Sequence, residues 1–274
     1  VSLGAVSAAT SGDVTISSVG TITDITGAQD DVAEITADVF TVSAATAIGT
    51  GSAQVDVNAT TVNLTATGDT YLDTVGSGGV AITAALTGGN IVIDGRNTAN
   101  DGGYEAITLT NVDTTTSGAI TVTNYANNIV ATDAAALGGA DTDDVTLTTT
   151  STGIVSLGAV SAATSGDVTI SSSGTITNID NDAGAEVTAD VFTVSKSGAI
   201  GASGGNGAID VSVGTITLGS GTSISSAIYI DDVATGGTTA IGGITATGQT
   251  LTLTSTQALN ITGAVTTSGS AGAT

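Results

Sequence analysis

Short runs in which apolar residues alternate with Thr or Asn recur along the whole chain. They include Val14-Thr15-Ile16, Phe40-Thr41-Val42, Val62-Asn63-Leu64, Ile107-Thr108-Leu109, Val145-Thr146-Leu147, Val168-Thr169-Ile170, Phe192-Thr193-Val194 and Ile216-Thr217-Leu218. A period of two puts the apolar side chains on one face and the polar ones on the other, so each run predicts a half-buried strand. Between the runs stand Ser11-Gly12-Asp13, Asp101-Gly102-Gly103, Ser117-Gly118 and Ser165-Gly166-Asp167, residues that accept the backbone conformations of tight turns. Neighbouring runs are about 22 to 24 residues apart, a spacing that predicts a solenoid of short strands.

A longer period contains the short one. Residues 1–22 and 155–176 differ only at Val19, which becomes Ser173, and their offset is 154 residues. TADVFTVS at Thr36–Ser43 returns at Thr188–Ser195 with the offset reduced to 152, so the polar segment between Thr23 and Ile35 is read as a loop. Val55-Asp56-Val57 matches Ile209-Asp210-Val211, and Tyr71-Leu72-Asp73 matches Tyr229-Ile230-Asp231. The expected organisation is a first long repeat, 1–154, and a second, incomplete one, 155–274, joined in one continuous rod. About seven short units fit one long repeat. A complete second copy would run about 34 residues past Thr274, so the expectation is a longer natural polypeptide, or a subunit continued by the start of another.

Tandem sandwiches would also give short strands and frequent turns, but they centre their cores on large aromatic side chains. This chain has 4 Tyr, 2 Phe and no Trp. A thin coil can be filled by Val, Ile, Leu and Ala, and each coil buries its apolar face only by stacking on the next. The fold class read from the sequence is therefore all-β, a parallel β-helix (β-solenoid) of roughly 22–24-residue coils. About 12 coils at ~4.8 Å would make a rod of roughly 55–60 Å.

Composition narrows the chemistry. With no His and no Cys there is no Ser-His-Asp triad, no Cys nucleophile, no disulfide and no zinc site of the usual ligands. Two basic residues against 25 acidic ones, a net charge of -23, cannot neutralise a nucleic-acid backbone. No run of 18 apolar residues is present to span a bilayer, and the first residues lack the basic region of a signal peptide.

The segment from Ala189 to Thr267 holds ADVFTVSKSGAIGA, GAIDVSVGTITL, AIYIDD, TAIGGITATGQTLTLTS and ITGAVTTSG, in that order. It resembles the repeats of giant bacterial surface proteins related to filamentous haemagglutinin, and Thr36–Ile82 resembles them more loosely. The resemblance implies a right-handed parallel β-helix displayed outside the cell, in an adhesin or a surface fibre. Self-association, head to tail or through continuing repeats, is the partner expected, with cell-surface glycans as a further one.

Asp and Asn cluster in the turns: Asp30-Asp31, Asp141 with Asp143-Asp144, Asn178 with Asp180-Asn181-Asp182, and Asp231-Asp232. Closely spaced carboxylates suit a hard cation that takes six to eight oxygens. Asp30, Asp31, Asp141, Asp143, Asp144, Asp180 and Asp182 are accordingly the candidate calcium ligands, although no EF-hand loop is complete and no cofactor is required. GGNGAIDV at Gly204–Val211 departs by one residue from a calcium-binding repeat. Solvated turns are the competing reading. Paired carboxylates could also serve as acid and base on a polysaccharide, but Arg96 and Lys196 stand 100 residues apart and do not occupy matching repeat positions, so no enzyme is expected. Thr-x-Thr motifs recur at irregular intervals, which disfavours a flat ice-binding face. Phe40, Phe192, Tyr71 and Tyr229 are expected in aligned packing, and Tyr104 and Tyr125 at the surface.

Overall fold

The structure, a computed structural model, describes residues 1–268 apart from 9–10, 26–31, 77, 87, 96–105, 126, 205 and 248–249. Its regular elements are all β-strands, from two to twelve residues long. Most strands pair in parallel with strands one coil before and one coil after, and the first and last strands pair on one side only. Ile107–Thr114 lies between Val80–Leu86 and Ile129–Ala136, and Ile120–Asn124 lies between Ile91–Gly95 and Val145–Thr149. Among the described residues the one antiparallel bridge joins Thr50 to Ala53, inside a turn. No helix there is long and apolar enough to cross a membrane.

All eight alternating runs fall within strands. Their apolar members are buried, Ile16 only partly, while the Thr or Asn between them stays partly or fully exposed. Parallel pairing in register then stacks these side chains into columns. One column passes through Ile22, Ile48, Thr70, Ile91, Ile120, Val145, Val168, Phe192, Ile216, Ile241 and Ile261. These are eleven rungs, and ten steps between residues 22 and 261 give about 24 residues per coil. The fold is a β-solenoid of stacked coils.

A second column, on the other side of the same core, runs Val14, Phe40, Val62, Ile82, Leu109, Ala131, Leu157 and Asn178. Val14 and its counterpart Val168 therefore sit in different columns, as do Phe40 and Phe192. Starting from Val14, Leu157 is six rungs on and Asn178 seven, and Val168 falls between them in sequence. The long repeat advances the chain about six and a half coils, not seven. Longer turns account for the difference: Ile91 and Ile120, on successive rungs, are 29 residues apart.

Turn geometry fixes where glycine is obligatory. Gly89 and Gly118 both have positive φ, and a Cβ on Gly118 would strike the carbonyl oxygen of Gly89 one coil earlier. Here the tight axial rise of the coil, and not the turn alone, excludes a side chain.

Thr70 breaks the aliphatic column. Its hydroxyl is buried without a hydrogen-bond partner, between Ile48 and Ile91, whereas the second copy has Ile228 at this position. A buried hydroxyl lacking a partner costs stability. Thr70→Val is expected to raise the urea-unfolding free energy by roughly 1 kcal/mol; a lowered midpoint would contradict this account of the core.

Candidate functional site

The acidic turns lie on the outside of the coils, where the chain passes from one strand to the next. Asp143 is 1% exposed. Its Oδ1 accepts the Gly118 N–H at 2.6 Å and its Oδ2 the Ala140 N–H at 2.7 Å. Gly118 belongs to the preceding coil. Asp144, the next residue, faces the other way, and its Oδ1 accepts the Asp167 N–H of the following coil at 2.8 Å. The two adjacent carboxylates thus clasp three coils together. Asp141 is exposed.

The same device is used nearby with different residues. Asp69 Oδ1 accepts the Asn90 N–H at 2.8 Å, Asn90 Oδ1 accepts the Ala119 N–H at 3.0 Å, and Asn128 Oδ1 accepts the Ile154 N–H at 3.0 Å. Each bond points along the axis, from one rung to the next. Asx residues favour turns because their side chains bond nearby backbone, and in a solenoid that nearby backbone includes the neighbouring coil.

Asp180 and Asp182 sit exposed on the turn after Ile176–Asn178. Asn178 organises this turn: its Oδ1 accepts the N–H groups of Asp180 and Asn181 at 2.8 and 2.9 Å, and Asn181 has φ of 50°. Its Nδ2 donates to the carbonyls of Asn206 and Ala208 in the next coil, and Asn206 Nδ2 donates to Asn181 O at 2.7 Å. Asp182 Oδ1 accepts the Gly184 N–H at 2.6 Å. Asp30, Asp31, Arg96, Tyr104 and Asp101-Gly102-Gly103 lie outside the described residues. Among the described residues, no three acidic side chains gather closely enough to hold one metal ion. Tyr125 is exposed and the two Phe residues are fully buried.

A second group of carboxylates escaped the sequence pattern. Glu34, Asp56 and Asp73 in the first copy, and Glu186 and Asp210 in the second, are all buried. Register stacks them. Ile35 pairs with Val57 and so sets Glu34 beside Asp56; Asp56 pairs with Asp73 and Asp73 with Asp94. In the second copy Glu186 stands beside Asp210, which pairs with Asp231. Glu34 Oε2 accepts the Asp56 N–H at 2.9 Å, and Glu186 Oε2 the Asp210 N–H at 2.6 Å. Alternation had implied that Asp56 and Asp210, flanked by apolar residues, face water. They alternate with core residues and are nonetheless buried; next to Asp210, Asn178 ties the 178–182 turn to the backbone just before it.

Burial with like charges raises the proton affinity of Glu186 and Asp210. Burial, then the charges of Asp210 and Asp182, pushes the Glu186 carboxyl up to about 8 against the restraining Asp210 N–H. Burial, then Asp231 and Asp182, pushes Asp210 up to about 6. Asp113 is raised by burial and Asp133, and Asp167 by burial, Asp144, Asp190 and Asp141. Two full charges on adjacent rungs, ~4.8 Å apart, would repel by about 3 to 4 kcal/mol at an effective dielectric constant near 20.

Two further surfaces complete the exterior. An open, mostly polar groove of about 350 Å³ is lined by residues including Asp190, Ser212, Thr235, Thr238 and Gln257. An apolar cavity of about 230 Å³ opens at the last rungs, between Ile241, Ile244, Leu251, Leu253, Leu259 and Ile261. Ile261 is 66% exposed there. No protein-family model matches the chain, and no curated protein or solved structure is significantly similar to it.

The two roles for Asp in the turns are separable. Asp143→Ala removes the acceptor of two backbone N–H groups and is expected to lower the unfolding free energy by about 1–3 kcal/mol. Asp141→Ala should stay within about 0.5 kcal/mol of the parent chain. Urea titration of both variants checks the pair, and equal losses would refute the axial clasp.

Proposed function

We propose that the chain is a structural repeat module of an extracellular bacterial surface fibre or giant adhesin, assembling end to end through stacked β-coils. The observation that carries this reading is the column of stacked residues from Ile22 to Ile261, apolar at every rung but Thr70, whose neighbours along the axis are further rungs of the same kind. Such a core has no closed centre. It is extended by adding coils, and its cohesion grows with length.

The flanks favour the same reading. Net charge of -23 on a slender rod sets parallel rods against one another, so that association is directed to the ends and not the sides. With one Lys and one Arg, trypsin-like proteases have little to cut, and without Met or Cys the side chains most readily oxidised are missing. Both properties suit a long-lived material outside the cell. In this reading the partner is the chain itself or its continuing repeats, and catalysis plays no part.

Electron microscopy and fibre diffraction of the purified protein test the proposal. Long unbranched fibres with a meridional spacing of ~4.8 Å are the expected outcome. Isolated rods at high concentration, or a two-dimensional lattice that dissolves in chelator, would replace it with an anchored adhesin or a cation-dependent surface layer.

A further inference from the structure

We propose that the carboxyl column Glu186–Asp210–Asp231, buried at Glu186 and Asp210 and half-exposed at Asp231, is a proton-binding site that couples the axial cohesion of the second copy to pH. The geometry supplies the argument. Three acidic residues occupy consecutive rungs in register. Asp210, in the middle, is 4% exposed, and its carboxylate accepts no hydrogen bond from the described residues. The charges that reach it are those of Asp231 and Asp182, both acidic. The turn before Val187–Lys196 contributes Glu186, Asp182 and, farther out, Asp180; Ile228–Asp232 contributes Asp231 and Asp232; Val187–Lys196 itself carries Asp190. Thr238–Ala246, packed on the far side, has no ionisable side chain. Lys196, at the distant end of its strand, donates to Ser173 Oγ. Asp232 and Asp182 already accept the Ser255 hydroxyl and the Gly184 N–H.

The first copy shows what the second lacks. There the column ends on Asp94, whose Oδ2 receives a hydrogen bond from Gln54 Nε2 at 2.8 Å. Ala208 stands where Gln54 would be, and Thr254 where Asp94 would be. The Asp210 carboxylate has no side-chain donor among the described residues, and a proton from solution serves instead: an ionised carboxylate can only accept, whereas a protonated one also donates. One proton lets neighbouring carboxyls in the column bond instead of repel. The direction of titration agrees, since burial and neighbouring charge raise Glu186 to about 8 and Asp210 to about 6.

The sign follows from linkage. Both folded-state values lie above the ordinary 4.5 and 3.8, so the stability they contribute is fully present below about pH 4. It declines as pH rises through 6 and toward 8. The chain has no His or Cys, so few other groups titrate in that window.

The test is thermal melting between pH 5 and 8.5, with hydrogen exchange corrected for intrinsic rates, on the parent chain and on the Glu186→Gln, Asp210→Asn double variant. The melting temperature of the parent is expected to fall by about 5 °C or more across this range. Val187–Lys196, Ile209–Leu218 and Ile228–Asp232 should lose protection more than Ile107–Thr114 does, and the double variant should lose at least half of the pH dependence. Carbon-13 titration of the carboxyl groups in the unsubstituted chain gives the same answer without relying on the variant's folding: Glu186 should titrate at least two units above an ordinary Glu. A pH-independent melting temperature, an unchanged slope in a folded variant, or midpoints of both groups below pH 5 would each overturn the proposal. So would calcium chloride restoring acid-level stability at pH 8.5, which would assign the column to a divalent cation instead.

Discussion

Every coil of this molecule must tolerate another coil about 4.8 Å above and below it, in register. That spacing is imposed by the backbone hydrogen bonds between parallel strands, and it leaves each side chain with two axial neighbours at the same position of adjacent rungs. Columns therefore become the unit on which the physics acts. Ile, Val, Leu and Phe form the inner columns, where contact along the axis removes apolar surface from water. At a corner, Asn124 and Thr149 are stacked partners, and each donates to the carbonyl four residues on, so the polar end of a strand is satisfied within its own turn. The Asx side chains just before the Thr70, Ile91 and Val145 rungs bond from coil to coil.

The same constraint explains why a large aromatic core is unnecessary. Phe40 and Phe192 are fully buried and are the largest core side chains, yet most rungs are filled by residues no bigger than Ile. The space between the two inner columns is narrow, and β-branched side chains pack it while favouring the extended backbone.

Much of this was legible in the sequence because the strand signal is local. A three-residue run such as Val145-Thr146-Leu147 fixes which side chains face inward regardless of what stacks on it. The coil repeat was legible for a related reason: turns rich in Gly, Asp and Ser return at nearly constant intervals. What alternation could not reveal was the environment of the outward side. Asp210, between Ile209 and Val211, has the pattern of a solvated residue and is buried, beside a turn some thirty residues earlier that Asn178 ties to Ala208. Asp143 and Asp144 are neighbours in sequence, yet one bonds the preceding coil and the other the following coil. Clustering in sequence and convergence in space are different properties, and only register connects them.

The half-coil remainder in the long repeat has a mechanical meaning. Because each copy of the sequence begins on the side opposite its predecessor, any tendency of one copy to bend the rod, through a bulky column or an oversized turn, is met by an equal tendency in the opposite sense from the next. Straightness then needs no uniform cross-section. The true axial period becomes two copies, about 13 coils or roughly 60 Å, and a rod continued on this plan would hold its line over lengths at which a whole-number repeat would curl.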